Sequence, residues 1–236
     1  MIKKVDHGFS YYLLKPLHTS SVLNIILYHG WGSNASKYLE YASSLTDCGY
    51  SVIIPELIYH DSRNPLLNPF SQQNMESYFW KVIFQSIDEC HQWLNRSNIV
   101  KKNTVVAGVS MGGFIASGVY ATAELKGLAN INGSGSFICS ERFFRQASKR
   151  DPLTNSEEAR FRMYDPINYV HGDGSILLIH GEQDQIISIK CQEDYYSYLT
   201  NKEKKVHMKR YKHVGHEFTT SMQTDFLNWL EFQAAR

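Results

Sequence analysis

The stretch Thr104-Val105-Val106-Ala107-Gly108-Val109-Ser110-Met111-Gly112-Gly113 decides how the rest of the chain is read. A β-branched apolar run ends at Gly108, a serine stands between Gly108 and Gly112, and Phe114-Ile115-Ala116-Ser117-Gly118 continues with small residues of helical character. That order predicts a strand, a sharp turn and a helix, with Ser110 on the turn. In this context G-x-S-x-G is a nucleophile elbow, in which a strained serine backbone lifts the hydroxyl above the end of a sheet. A Cβ at Gly108 or Gly112 would collide where helix and strand cross closely. The pattern alone also fits a plain strand–turn–helix junction, so its weight rests on what the remaining sequence supplies.

Working outward, Phe9 to Leu14 alternates and reads as an edge strand stopped by Pro16. Val22 to Tyr28, Ser51 to Pro55, Leu128 to Asn132 and Ser175 to Ile179 are short, nearly continuous apolar runs, as expected for strands covered on both faces of a parallel sheet. Val206 to Tyr211 is the last strand. Helices are predicted over Ala35–Cys48 (capped by Ser33 or Asn34 and closed by Gly49), Gln72–Asn95, Ile189–Leu199 and Glu217–Phe232. The segment Ser136 to Tyr164 is charged and aromatic without strand character, and reads as a short helical lid. Strands alternating with helices at this cadence imply an α/β domain with a mostly parallel central sheet and helices on both faces. Residues 1–236 form one such domain, with a lid-like insertion at about 136–164. Ligands should bind beyond the carboxyl ends of the strands, where the turn clusters fall.

Composition narrows the function classes. Lys+Arg 24 against Asp+Glu 23 gives a formal charge of +1, which offers no electrostatic case for nucleic acid or an anionic membrane. The one dense basic run, Lys202-Glu203-Lys204-Lys205, reads as a solvated connection. Cys48, Cys90, Cys139 and Cys191 are scattered without C-x-x-C spacing, so neither a zinc site nor a disulfide framework is expected, and reduced cytoplasmic thiols are the simplest reading. Cys139 is expected to be inert. No membrane span and no apolar leader segment is evident. The oligomeric state is not legible.

A serine hydroxyl attacks only as a base removes its proton; histidine suits that task, and a carboxylate fixes the histidine's tautomer. In sheets of this type the order is serine, acid, histidine. Asp184 lies on the loop after the Ser175–Ile179 strand and His216 on the loop after the last strand, so Ser110, Asp184 and His216 are the catalytic candidates. Glu182 and Asp173 are rivals to the acid, and His207 and His213 to the base. An acyl-transfer site also needs N–H donors aimed at the developing oxyanion, each worth on the order of 10²–10³ in rate. The candidates are the main-chain N–H groups of Met111, next after the serine, and of Trp31, on the loop after the Val22–Tyr28 strand. His29 and His180 resemble loop-bracing histidines. Tyr59, Phe137, Phe143, Phe144 and Ile186 are candidates for the substrate pocket.

Together, His29-Gly30-Trp31-Gly32, Gly108-Val109-Ser110-Met111-Gly112-Gly113, His180-Gly181-Glu182-Gln183-Asp184 and Gly215-His216-Glu217-Phe218 resemble the α/β-hydrolase superfamily. More narrowly, the chain is similar to the small bacterial carboxylesterases near the prolyl-oligopeptidase-like and dienelactone-hydrolase-like branch. The resemblance covers Val22 to the C-terminus. It implies an α/β-hydrolase fold and hydrolysis of small-molecule carboxylic esters by Ser110, His216 and Asp184, while a compact lid with the bulky Trp31 and Phe residues suggests a tight pocket for short acyl groups. Trp31 and Met111 would form the oxyanion hole, with no metal and no cofactor. Thioester, deacetylase or amidase chemistry on the same trio, or a non-catalytic binding protein on the same fold, are the alternatives. Dienelactone hydrolases use a cysteine where this chain has Ser110, which argues against that particular reaction, and the lack of a propeller domain argues against a prolyl peptidase. In relatives the loop after the second buried strand often reads D-x-x-x-H-G; here it is Glu56-Leu57-Ile58-Tyr59-His60-Asp61, in which Glu56 and His60 are expected to be structural.

Overall fold

Strict alternation along the strands sorts their side chains into two cores. Ile26, Tyr28, Val106, Leu128, Ile176 and Leu178 face one way, while Ile25, Leu27, Val105, Ala107, Ala129, Ile131, Leu177 and Ile179 face the other. A sheet apolar on both sides must be covered on both sides. The computed structural model, which describes residues 1–6, 8–17, 23–169 and 172–235, has that arrangement.

The strands are β1 (Ile2–Asp6), β2 (Phe9–Leu14), β3 (Asn24–Tyr28), β4 (Ser51–Pro55), β5 (Thr104–Val109), β6 (Gly127–Ile131), β7 (Ser175–Gly181) and β8 (Val206–Tyr211). They form one eight-stranded sheet in the order β1-β2-β4-β3-β5-β6-β7-β8. β2 pairs antiparallel with β1 and with β4, and every other pairing is parallel. The helices are α1 (Leu39–Asp47), α2 (Gln72–Arg96), α3 (Met111–Thr122), α4 (Phe137–Ala147), α5 (Asn155–Arg162), α6 (Ile189–Asn201) and α7 (Thr220–Ala234). α1 and α7 cover one face through Ala42, Leu45, Phe226, Trp229 and Leu230. α2 to α6 cover the other through residues such as Phe79, Ile83, Phe114, Phe137, Phe161 and Tyr195. α2 is long because it sustains a helical stripe over its whole length (Phe79, Val82, Ile83, Ile87, Cys90, Trp93, Leu94), and Ser71 caps its start by accepting from the Asn74 N–H.

Three expectations need correction. Phe9–Leu14 is a strand but not the edge, because β1 pairs along its outer side. Ile2-Lys3-Lys4-Val5-Asp6 is almost wholly exposed, so backbone pairing rather than burial makes it a strand, and apolar periodicity gives no sign of it. Ala35–Cys48 is not one helix: a 3-10 turn over Ala35–Tyr38, capped by the Asn34 side chain, precedes α1. The sixth strand ends at Ile131, and Asn132 turns away at φ 49°. Val22, expected to open a strand, lies outside the described residues.

The expected lid segment contains α4 and α5, and its inner face belongs to the core. Phe137 is fully buried and lies against Trp80 and Phe114 at ring-centroid distances of 5.3 and 5.7 Å. Trp80 is the hub of this packing, with Phe84, Phe144 and Phe161 also around it. Its indole N–H donates to the buried Glu141 carboxylate at 2.7 Å, which Arg145 and Arg150 also reach at 2.7 and 3.1 Å. The start of α4 is tied down by Asp165, whose carboxylate accepts from the Phe137 and Ile138 N–H groups at 3.0 and 2.9 Å.

Candidate active site

The parallel strands deliver their carboxyl ends to one rim, and β5 lies near the middle of the sheet. Ser110 follows β5 directly with φ 57° and ψ −122°, a left-handed conformation that costs a non-glycine residue energy. The surroundings hold it there: its N–H donates to Ile131 O at 2.8 Å and its carbonyl accepts from the Gly113 N–H at 2.8 Å. The two glycines are required sterically. A Cβ at Gly108 would land on the carbonyl of Gly112, and one at Gly112 on the carbonyl of Tyr28, so α3 could not sit against β3 and β5.

Ser110, Asp184 and His216, far apart in sequence, meet here. The Ser110 hydroxyl donates to His216 Nε2 at 2.8 Å, and His216 Nδ1–H donates to Asp184 Oδ2 at 2.6 Å. The other oxygen of Asp184 accepts from the N–H groups of Ile186 and Ile187, both at 2.9 Å, so the carboxylate is oriented by its own loop. Burial alone would push the Asp184 carboxyl up; hydrogen bonds from His180, His216 and the Ile187 N–H outweigh it and hold the group well below the usual carboxylate range. The rivals lie elsewhere. Glu182, His207 and His213 are exposed, Asp173 pairs with Lys204 at 3.5 Å, and His213 faces Gln183. His180 braces the acid loop, its Nε2–H donating to Ile187 O at 3.0 Å with Asp184 Oδ2 at 3.4 Å.

The loop after β3 runs beside the serine: a Cβ on Gly30 would lie 3.2 Å from the Ser110 Cβ. Met111 opens α3, so its N–H has no acceptor inside its own helix. Among the described residues no acceptor takes the Trp31 N–H. The Trp31 indole is fixed separately, donating to Pro69 O at 3.0 Å and lying against His60 and Phe79 at 5.0 and 5.9 Å.

The expected pocket residues divide. Phe137 is a correction: it opens α4 fully buried against Trp80 and Phe114 and presents no exposed surface. Phe144 is half-buried and packs on Phe79 at 5.5 Å, in the aromatic row that leads to Trp31. Phe143, also half-buried, is outside that row. Tyr59 stands at φ 61° on the loop after β4, where its ring meets Tyr78 at 4.6 Å and its hydroxyl accepts from Lys81 at 2.8 Å. Ile186, on the acid loop, is 60% exposed; Phe70 (66%) and Leu67 (105%), on the loop after β4, are exposed as well. Cys139 is free and half-buried, next to the buried thiol of Cys191.

Sequence reasoning missed the residues that position these loops. Asn132, only 1% exposed, accepts from the Gly181 N–H at 3.0 Å and donates to Glu217 O at 2.6 Å, tying the end of β7 to the loop of His216. The sequence signal was an asparagine as the last residue of an expected strand, a residue type that tolerates positive φ. Glu56 and His60 are both buried, as expected for structural residues. Glu56 accepts from Lys3, Ser10 and Ser62, and burial, which alone would raise its pKa, is overcome by those bonds, leaving it lowered. His29, fully buried, donates from Nδ1 to Gly30 O at 2.9 Å and pairs through Nε2 with Asp61 Oδ2 at 3.0 Å.

Comparison with known proteins agrees with this architecture. Over 179 residues the chain is 27% identical to esterase YjfP of Escherichia coli (strain K12), a match that spans 69% of each protein. Its backbone superimposes on TT1662 of Thermus thermophilus with a TM-score of 0.76 at 17% identity, covering 100% of both chains. On esterase 2 of Thermogutta terrifontis the TM-score is 0.70 at 11% identity, covering 98% of this chain and 92% of the other. The dienelactone hydrolase family matches residues 9–229. With an α/β-hydrolase fold and that match across nearly all of its length, the chain belongs to the dienelactone hydrolase family of ester-cleaving hydrolases.

Proposed function

We propose that this chain hydrolyses carboxylic esters of small molecules with short acyl groups, through an acyl-enzyme on Ser110. The observation that carries the reading is the His216 ring bridging the Ser110 hydroxyl and the buried Asp184 carboxylate at 2.8 and 2.6 Å. As Ser110 Oγ attacks the ester carbonyl, His216 Nε2 takes its proton and Asp184 stabilises the imidazolium. Negative charge gathers on the former carbonyl oxygen, facing the N–H groups of Trp31 and Met111. On collapse His216 gives the proton to the departing alkoxide, and the alcohol leaves. Water then repeats the sequence against the acyl-enzyme, releasing the acid and restoring Ser110. General base catalysis of this kind is worth about 10²–10⁴ and each oxyanion donor about 10²–10³.

Serine in the nucleophile position sets the reading apart from the dienelactone reaction itself. The short-acyl preference rests on the immobilised Trp31 indole and on the Phe79 and Phe144 rings packed behind it as an aromatic wall. A role for α4 and α5 as a lid belongs to the same proposal, as does a cytoplasmic setting, supported by four free cysteines; among the described residues no helix is long and apolar enough to cross a membrane.

The test is pre-steady-state kinetics with p-nitrophenyl acetate, butyrate and octanoate. A burst of p-nitrophenol equal to the enzyme concentration is expected, largest in rate for the short chains and lost in Ser110→Ala. Absence of turnover on all three esters would sink the reading.

A further inference from the structure

The oxyanion-stabilising role given above to the Trp31 N–H requires the His29–Ser33 loop to hold its backbone to within a few tenths of an ångström. That loop is not held by packing alone. A cavity of about 210 Å³ lies beside it, lined by Gly32, His60, Asp61 and Pro69 among others. What crosses to the loop from the far side are hydrogen bonds from two consecutive residues. Gly32 N–H, directly after Trp31, donates to His60 Nε2 at 3.1 Å, while His60 Nδ1–H donates to Ile58 O at 3.1 Å. The second bond puts the proton on Nδ1, which leaves Nε2 free to accept. Burial lowers the His60 pKa and keeps the ring neutral; His29 and Asp61 are the charged or titratable groups that face it.

Asp61 grips the same loop at both ends. One oxygen accepts from the Ala35 N–H at 2.7 Å; the other meets His29 Nε2 at 3.0 Å and accepts from the Leu57 N–H at 3.1 Å. It does so at φ 51°, in the left-handed region that favours glycine. An aspartate with 4% of its side chain exposed, in a conformation suited to glycine, is held by what its carboxylate binds.

We propose that His60 and Asp61 are positioning residues for the oxyanion hole: through Gly32 N–H and through His29 and Ala35 they fix the main-chain N–H of Trp31 at the reacting carbonyl. They touch no substrate atom. Their contribution should therefore appear in the transition state and not in ground-state binding.

The inference rests on the esterase reading, and one set of measurements separates the two. His60→Leu removes the acceptor for Gly32; His60→Gln presents Oε1 close to where Nε2 stood; Asp61→Asn replaces one accepting oxygen by a donor. For p-nitrophenyl butyrate, His60→Leu is expected to lower kcat by about 10²-fold with KM changed by less than about threefold, and Asp61→Asn to lower kcat by about tenfold. Affinity for an alkyl boronate, which carries a tetrahedral oxyanion, should fall in parallel, while inhibition by butyrate should not. His60→Gln should recover most of both losses. Should His60→Leu not fold, the comparison of His60→Gln with Asp61→Asn carries the same kcat and boronate readouts. Unchanged kcat and boronate affinity in the folded variants, or a loss confined to KM, would overturn the positioning role while leaving the esterase standing. A wild-type enzyme with no burst and no Ser110 labelling by a fluorophosphonate would overturn both.

Discussion

Replacing Asp184 by asparagine tests the proposed mechanism where its geometry is most constrained. The two oxygens of Asp184 do different work: Oδ1 takes the N–H groups of Ile186 and Ile187, and Oδ2 takes the proton of His216 Nδ1. An amide has one acceptor, and the two loop N–H groups will claim it, so the new NH₂ must face His216. The ring then accepts at Nδ1 and carries its proton on Nε2, which stands 2.8 Å from the Ser110 oxygen. A protonated Nε2 has no lone pair with which to take the serine proton. Buried carboxylate-to-amide changes of this kind, which leave geometry intact and reverse the tautomer, cost about 10⁴ in kcat, or about 5 kcal/mol of barrier. The assay is stopped-flow acylation by p-nitrophenyl butyrate from pH 5 to 9, with thermal unfolding to confirm the fold. Because the wild-type carboxyl is held well below the usual range, its ionisation adds stability that is present above the unfolded pKa and lost as pH falls through the folded one. Asp184→Asn should lack that acid-side loss. An acylation rate within tenfold of wild type, in a folded protein, would refute the account of how the three side chains cooperate.

Three further outcomes follow from the same packing. Asn132→Ala removes the bonds to Gly181 and Glu217 and places an alanine at φ 49°; a loss of about 2–4 kcal/mol in urea unfolding is expected, with a lower kcat because the loop of His216 loses its tie to β7, and Asn132→Gly should relieve the backbone cost but not the loss of kcat. Gly108→Ala drives a methyl into the Gly112 carbonyl, which α3 cannot move without leaving β5, and should cost about 3 kcal/mol or more, read as a lowered Tm and lost fluorophosphonate labelling. Burial pushes the Asp165 carboxyl up to about 6 against the pull of its N–H bonds from Ile138, Phe137 and Ile167. Its contribution to stability is therefore fully present below the unfolded value of about 3.9 and lost as pH rises through about 6, by about 3 kcal/mol. Asp165→Asn should flatten that part of the urea-unfolding profile, and parallel profiles for the two proteins would contradict it.

The parts of the fold that the sequence disclosed share a physical cause. Strands covered on both faces bury nearly every side chain, so β3, β4, β5 and β7 are dominated by short apolar runs, with polar residues mostly at their ends. The loops at their carboxyl ends then meet at one rim, and the order serine, acid, histidine marks Ser110, Asp184 and His216 as candidates on three of them. Glu182, Asp173, His207 and His213 are left as rivals until the packing is seen. β1 left no such trace, because an exposed strand is stabilised by main-chain bonds to β2 that any sequence can make. Phe137 and Phe144, seven residues apart on one helix, look alike in a sequence. Only the packing of α4 on Trp80 and Phe114 separates the first, sealed in the core, from the second, half-buried against Phe79.

What stayed hidden is the layer that aims the site, and it is hidden for a common reason. Asn132, His60 and Asp61 act through main-chain groups of residues distant in sequence: the Gly181 N–H and Glu217 carbonyl for the first, the Gly32 and Ala35 N–H groups for the others. A backbone amide is the same at every position, so its partner carries no complementary residue type to search for. Two of the three, Asn132 at φ 49° and Asp61 at φ 51°, also occupy left-handed backbone in which glycine would be at ease. The carboxylate or amide offsets that conformational cost only by binding loops on either side of it, which is why removing the side chain should disturb the alignment of Ser110's neighbours before it disturbs the sheet beneath them.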